Sequence, residues 1–307
     1  SSCSGRHCTD DAKTGAPDCL SHQVMGEMEK ALKNKLDSNE FALWSQFLSD
    51  LTGISLSEDK EYLIIERFHG LLKKYRCSNY SHLYFMAREP ERNDLREELV
   101  DHITTKETSF FRDLAPFEAL RNTVFPRLLE QCRRAGEKRR LKIWSAACST
   151  GQEAYSLAMI LQEMGVSPHE YQITGTDISR MAIDSARQGC YNRFEVERGV
   201  PGPLLERFFK PNTRNWQVKD SLKESITFVQ MPLHRPFMLP DSFDLIVCRN
   251  VAIYFAAGPR ADLFSRVSRH LHPHGYLLIG STETAGDLGN LFREVHLEPR
   301  AVFLQKK

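Results

Sequence analysis

The sequence predicts an α/β protein: a mostly parallel, doubly wound sheet with an antiparallel closing strand, preceded by a small N-terminal all-helical domain. Three observations carry this reading. Apolar residues recur at three- and four-residue steps, without a strand pattern, as far as residue 103. From Leu141 onward short apolar runs alternate with helical ones, the pattern of βα units in a parallel sheet. Near the end, Val295, Leu297, Ala301, Phe303 and Leu304 stand on both sides of Pro299, as in an antiparallel hairpin.

The elements follow in order. Residues 1–20 are small and polar with no apolar period, so a flexible tail is expected. The helical domain is expected over 21–103. Phe41, Trp44, Phe47, Leu48 and Leu51 form one helical stripe, which starts after Ser38 and Asn39 and stops at Gly53. Leu63, Ile64, Phe68, Leu71 and Leu72 form a second, with Ser57 as its N-cap. Shorter helices cover 80–87 and 94–103. Residues 104–140 are read as a linker and a connecting helix over 116–134, with Pro116 in its first turn. The sheet domain then takes 141–307, with strands at 141–146, 171–176, 226–229, 243–248 and 276–279. Helices are expected after Gly151, at 179–187 and at 258–271.

Composition excludes several classes. Of 307 residues, 41% are hydrophobic, enough for two packed domains. Lys plus Arg number 41 against 40 Asp plus Glu, a net charge of +1, so no global electrostatic case for nucleic-acid binding exists. The longest apolar runs fall far short of a membrane span, and no membrane insertion is expected. Eight cysteines are scattered without a Cys-x-x-Cys pair, which suggests neither a metal site nor a disulfide framework. With no signal peptide at the start, a cytoplasmic setting is expected. The basic run Arg133, Arg134, Lys138, Arg139, Arg140 and Lys142 is either a solvated connection or a docking patch for an acidic partner.

Four segments carry chemistry. The first strand leads into Ser145-Ala-Ala-Cys-Ser-Thr-Gly151-Gln-Glu153, a turn of small residues through which backbone could approach a ligand. With one glycine it is not a dinucleotide fingerprint, and a tight strand-to-helix connection without a ligand would look the same. The second strand ends Gly175-Thr176-Asp177, an acid placed to accept hydrogen bonds from a ribose diol, or simply to cap the next helix. Upstream, Thr104-Thr-Lys106-Glu-Thr108-Ser-Phe-Phe-Arg112 ends in an arginine that two aromatics could hold rigid for a planar grip on a carboxylate. Finally, the apolar strand over 243–248 delivers Arg249 and Asn250 at its carboxyl end, with Tyr254 one turn later. Burying these polar groups requires ligand contacts or mutual pairing.

These segments resemble, in order, the CheR-type chemoreceptor glutamate O-methyltransferases, over about residues 30 to 305. The blocks are Thr-Thr-x-x-Thr-x-Phe-Phe-Arg, Ser-Ala-Ala-Cys-Ser-Thr-Gly-x-Glu, Thr-Asp-Ile-Ser, Cys-Arg-Asn-Val-x-Ile-Tyr-Phe and Gly-Tyr-Leu-Leu-Ile-Gly-Ser-Thr-Glu. The resemblance implies a Rossmann-like class I S-adenosylmethionine-dependent methyltransferase fold. It implies S-adenosyl-L-methionine as cofactor, with S-adenosyl-L-homocysteine as product. Chemoreceptor cytoplasmic helices are the implied protein substrate, and a monomer is expected. It places Thr108, Arg112, Gly151, Glu153, Asp177, Arg249 and Asn250 in the cofactor pocket, Asp177 on the ribose, Arg112 facing the substrate carboxylate and Tyr254 beside the transferred methyl. Two departures stand out: Lys106 where the family commonly has Asn, and Pro232 in place of a second pocket Asn, leaving Leu233 with backbone contacts only. Residues 191–230 match the place where the family inserts a small β-subdomain, which in some members grips a receptor peptide.

A substrate glutamate is already ionised at neutral pH, so the expected catalysis is orientation and water exclusion rather than acid–base work. Two alternatives stand beside it. One is a methyltransferase for another protein or a small molecule; the other is an S-adenosylmethionine-binding scaffold without activity.

Overall fold

The computed structural model describes residues 36–136, 139–240, 242–283, 288–298 and 301–307. The expected tail at 1–20 lies outside them.

Among the described residues, four helices come first: α1 (Ser38–Thr52), α2 (Glu61–Lys74), α3 (Tyr80–Arg88) and α4 (Asn93–Ile103). Their core centres on Trp44, whose ring meets Phe68 at 5.2 Å and Tyr84 at 5.5 Å between centroids. The true N-cap of α1 is Asp37, one residue before the expected pair. It forms a capping box with Glu40, a reciprocal pairing that Ser38 is not placed to make. Gly53 ends α1 at φ +79°, a left-handed C-cap. Ser57 heads a 3-10 turn (Glu58–Lys60) rather than α2 itself.

A long helical connection follows. It comprises α5 (Leu114–Ala119), a π-helical turn (Leu120–Val124) and α6 (Phe125–Arg134). The extra residue of the π turn sits just before Pro126, which cannot donate to the helical ladder.

The main sheet has seven strands: β1 (Leu141–Ala146), β2 (Tyr171–Asp177), β6 (Ile226–Gln230), β7 (Phe243–Cys248), β8 (Leu271–Ile279), β9 (Phe292–Leu297) and β10 (Ala301–Lys306). Their order is β6-β2-β1-β7-β8-β10-β9, parallel except that β10 runs antiparallel to both neighbours. The order reverses between β1 and β7, which is the switch point where such sheets bind ligands. Side chains of β1 alternate between two cores. Leu141 and Ile143 join the layer with α6 and α7 (Gln152–Glu163), whereas Trp144 and Ala146 join that with α12 (Ala257–His270). β8 is longer than its apolar run of 276–279, because His272-Pro273-His274 is accommodated as a bulge between pairings at Phe243 and Leu245.

After α8 (Arg180–Gln188), the chain forms a second, three-stranded antiparallel sheet: β3 (Cys190–Asn192), β4 (Phe209–Pro211) and β5 (Asn215–Val218), in the order β3-β5-β4. Short helices α9 (Arg193–Glu197) and α10 (Gly202–Phe208) lie between its strands, and α11 (Asp220–Lys223) leads back to β6.

The helical and sheet parts touch directly. The backbone N–H of Ser55 donates to the carbonyl of Tyr254 at 2.9 Å, and Arg235 donates to the carbonyl of Asp50 at 3.2 Å.

Candidate active site

A cavity of about 350 Å³ opens at the carboxyl ends of β1, β2 and β7, and its outer wall comes from the helical part. Lys106, Thr108, Arg112, Glu153, Asp177, Leu233, Arg249, Asn250 and Tyr254 all line it. Gly151 does not. Its φ of +96° and a Cβ position only 2.9 Å from that of Ala186 make glycine necessary for packing the turn against α8. The helical part adds Ile54, Ser55, Leu56, Lys60, Leu63 and Arg67, wall residues that no local sequence motif marks.

Of the six non-glycine residues at positive φ among the described residues, five lie in or beside this cavity: Phe111, Asp113, Ala147, Ser149 and Asn250. Backbone in that region is costly for side-chain-bearing residues and persists only where the surroundings hold it. For Asn250 the holding group is Glu283. Its carboxylate accepts the backbone N–H groups of Asn250 and Ala252, each at 3.0 Å, and that of Gly280 at 2.6 Å. Glu283 closes the last of the five sequence blocks, but nothing local to that block reveals its role.

Asp177 is buried, and both carboxylate oxygens are already engaged. Ser149 N–H donates to one and Ser179 N–H to the other, each at 2.9 Å. Each oxygen keeps a second lone pair, so a carboxylate of fixed orientation still offers two acceptor positions. Burial pushes its pKa up, opposed by these N–H groups and by the Lys106 ammonium. Lys106 is itself half-buried; burial lowers its pKa, while Asp101 and Asp177 pull it back up.

Across the cavity Arg249 is paired on two sides, with Asp113 at 2.6 Å and Glu153 at 3.6 Å. Glu153 also accepts from the Ser145 hydroxyl at 2.7 Å. Burial raises the Glu153 pKa, with Arg249 as the main opposing charge. The Nε of Arg249 is buried without a hydrogen-bond partner.

Arg112 is positioned by its two aromatic neighbours. Phe110 is buried edge-to-face against Tyr191 and Phe209, at 5.0 and 5.6 Å between ring centroids. Phe111 meets Phe117 at 5.5 Å, and its N–H donates to the Ser156 hydroxyl at 3.0 Å. The Arg112 guanidinium donates to the Glu107 carbonyl at 3.1 Å. The second sheet braces the site too, since the Tyr191 hydroxyl donates to the Thr150 carbonyl at 2.6 Å. Tyr254 is 38% exposed at the cavity mouth, and Leu233 is buried in the wall, with its carbonyl accepting from Arg266 at 2.7 Å. Among the described residues no helix is long and apolar enough to cross a membrane, and no group of three or more His, Cys, Asp or Glu could hold a metal ion.

A doubly wound sheet with its cavity at the switch point and an acid ending the second strand defines an α/β protein that holds a nucleoside-bearing ligand. Comparison with known proteins gives the family. The all-alpha domain of CheR methyltransferases matches residues 39–104, and their SAM binding domain matches residues 106–300. Chemotaxis protein methyltransferase Cher2 of Pseudomonas putida is 33% identical over 273 residues, spanning 87% of this chain and 98% of that protein. Chemotaxis protein methyltransferase 1 of Vibrio cholerae is 34% identical over 277 residues, spanning 88% and 98%. The chain belongs to the CheR methyltransferase family.

The residues present fit S-adenosylmethionine. Asp177 offers two free acceptor positions, the orphaned Nε of Arg249 lacks a partner, and apolar groups such as Leu233 and Phe117 share the wall.

Proposed function

We propose that this protein transfers the methyl group of S-adenosylmethionine to glutamate side chains on the cytoplasmic helices of chemoreceptors, forming methyl esters. One observation carries the reading. A single cavity is walled by both family domains, and within it a fixed strand-end carboxylate, a doubly paired arginine and an arginine braced on the Glu107 carbonyl converge.

When bound, S-adenosylmethionine supplies an electrophilic methyl group on a sulfonium. The chain's own residues then have three tasks. Asp177 accepts from the ribose diol with the acceptor capacity that Ser149 and Ser179 leave open. Glu153 and Arg249 hold the charged end of the cofactor's amino-acid portion, with Asp113 and Ser145 fixing their orientation. Arg112 orients the substrate carboxylate, and Tyr254, at the mouth, packs beside the reacting groups. No residue need remove a proton, because the acceptor carboxylate is ionised well below neutral pH. The work is alignment and exclusion of water, for which effective concentration alone is worth several orders of magnitude. Lys106, where the family commonly has an amide, brings a cation near Asp177.

Two measurements test the reading. Radiolabelled methyl transfer from S-adenosylmethionine to receptor cytoplasmic fragments is expected to give base-labile label on glutamates. Label on other residues, or none despite S-adenosylhomocysteine binding by calorimetry, would overturn it.

A further inference from the structure

The helical part contributes more than a wall. Asp101, in the last turn of α4, accepts the hydroxyl proton of Ser179 and, at 3.3 Å, the backbone N–H of Met181. Both donors belong to the turn that opens α8 on the sheet part. Ser179 is the N-cap of α8: its hydroxyl oxygen accepts from Ala182 N–H at 3.0 Å while its proton goes to Asp101. The backbone N–H of the same serine donates to Asp177 at 2.9 Å. A continuous hydrogen-bonded path therefore runs from a carboxylate on the helical part, through one serine, to the carboxylate that ends β2. Asp101 also places a negative charge at the N-terminus of a nine-residue helix, where the helix dipole favours it. The neighbouring Arg180–Glu97 pair, at 3.1 Å, is largely exposed and contributes little.

We propose that Asp101 is a positioning residue for the cofactor site, setting the Ser179 turn and through it the orientation of Asp177. The proposal rests on the reading of Asp177 as the ribose ligand. Among the described residues two N–H donors orient the Asp177 carboxylate, and one of them belongs to the serine anchored across the domain boundary. Removing Asp101 takes away that serine's anchor on the helical part and leaves it held by its own helix and by Asp177 itself.

The test is calorimetric titration of the full chain with S-adenosylhomocysteine. Asp101→Ala is expected to weaken binding about fivefold, the scale of a modest coupling between sites. Asp101→Asn, which keeps an acceptor oxygen, recovers most of the loss. In methyl transfer, Asp101→Ala raises the KM for S-adenosylmethionine and leaves kcat at saturating cofactor unchanged, a split that general loss of folded protein would not give. In an Asp177→Ala background, adding Asp101→Ala has no further effect, because the path it acts through is gone. Wild-type affinity in Asp101→Ala, or additive losses in the double variant, would overturn the proposal. Wild-type affinity in Asp177→Ala would instead overturn the ribose reading on which it stands. Ser179→Ala cuts the same path from the other side and carries the same expectation if Asp101→Ala does not fold.

Discussion

At the scale of single residues, the site is a set of charges whose orientations are fixed before any ligand arrives. Arg112 illustrates the division of labour: Phe110 and Phe111 anchor the backbone around it, one donor goes to the Glu107 carbonyl, and the proposed function gives its other donors to a substrate carboxylate. Arg112→Ala should lower kcat by about a hundredfold, the cost of losing alignment in an otherwise intact pocket. Calorimetry should find S-adenosylhomocysteine affinity little changed; an unaltered kcat would remove Arg112 from its role. Glu283 makes the complementary case. Replacing it by alanine strands three backbone donors and releases Asn250 from its left-handed conformation, at a cost on the order of 3 kcal/mol. Urea denaturation measures that loss, and a loss below about 1 kcal/mol would mean that water replaces the carboxylate. The contrast between these residues also shows what a sequence can disclose. Asp177, Arg249 and Asn250 were legible because a polar residue at the end of an apolar strand is a short-range pattern. Glu283, 33 residues from Asn250, and Asp113, 136 residues from Arg249, act across distances that no window along the chain spans.

At the scale of elements, the strands at 141–146 and 243–248 and the closing hairpin could be read because each buries a contiguous apolar run. The start of β8 could not, since Pro273 and two histidines interrupt the apolar run and only pairing with β7 draws them into the sheet. The second sheet was foreshadowed only by the family resemblance, which sets a small β-subdomain at 191–230; its three strands are three or four residues long, too short to show a period of two. Gly53 links element to assembly. It ends α1 at φ +79°, and a Cβ there would come within 2.4 Å of the Cβ of His234 on the sheet part. Gly165 has the same φ with nothing within 4 Å. Gly53→Ala should therefore cost clearly more than Gly165→Ala, which bears only the backbone strain of about 1 kcal/mol. Denaturation midpoints of the two variants measure the difference, and equal losses would mean that the contact yields freely.

For the whole molecule, the junction between the two parts titrates. Burial, with help from the nearby Arg235 guanidinium, holds the His234 pKa down to about 4 from its ordinary 6.5. A group whose folded pKa is depressed binds its proton more readily when unfolded. Its contribution is thus complete above pH 6.5 and is withdrawn as the pH falls toward about 4. His234→Phe should flatten the stability profile across that window, measured by urea denaturation at pH 7 and pH 5. Parallel profiles for the two proteins would show that the acid sensitivity lies elsewhere.

The cavity whose inner wall is sheet and whose outer wall is helix has one more consequence. A molecule seated there touches both parts at once and so acts as a rivet. Its free energy, about 2.7 kcal/mol when its concentration is a hundred times its dissociation constant, accrues only to the docked arrangement. Supply of cofactor thereby governs how firmly the two halves of the molecule are fastened, and the protease resistance of the segment joining them becomes a gauge of occupancy.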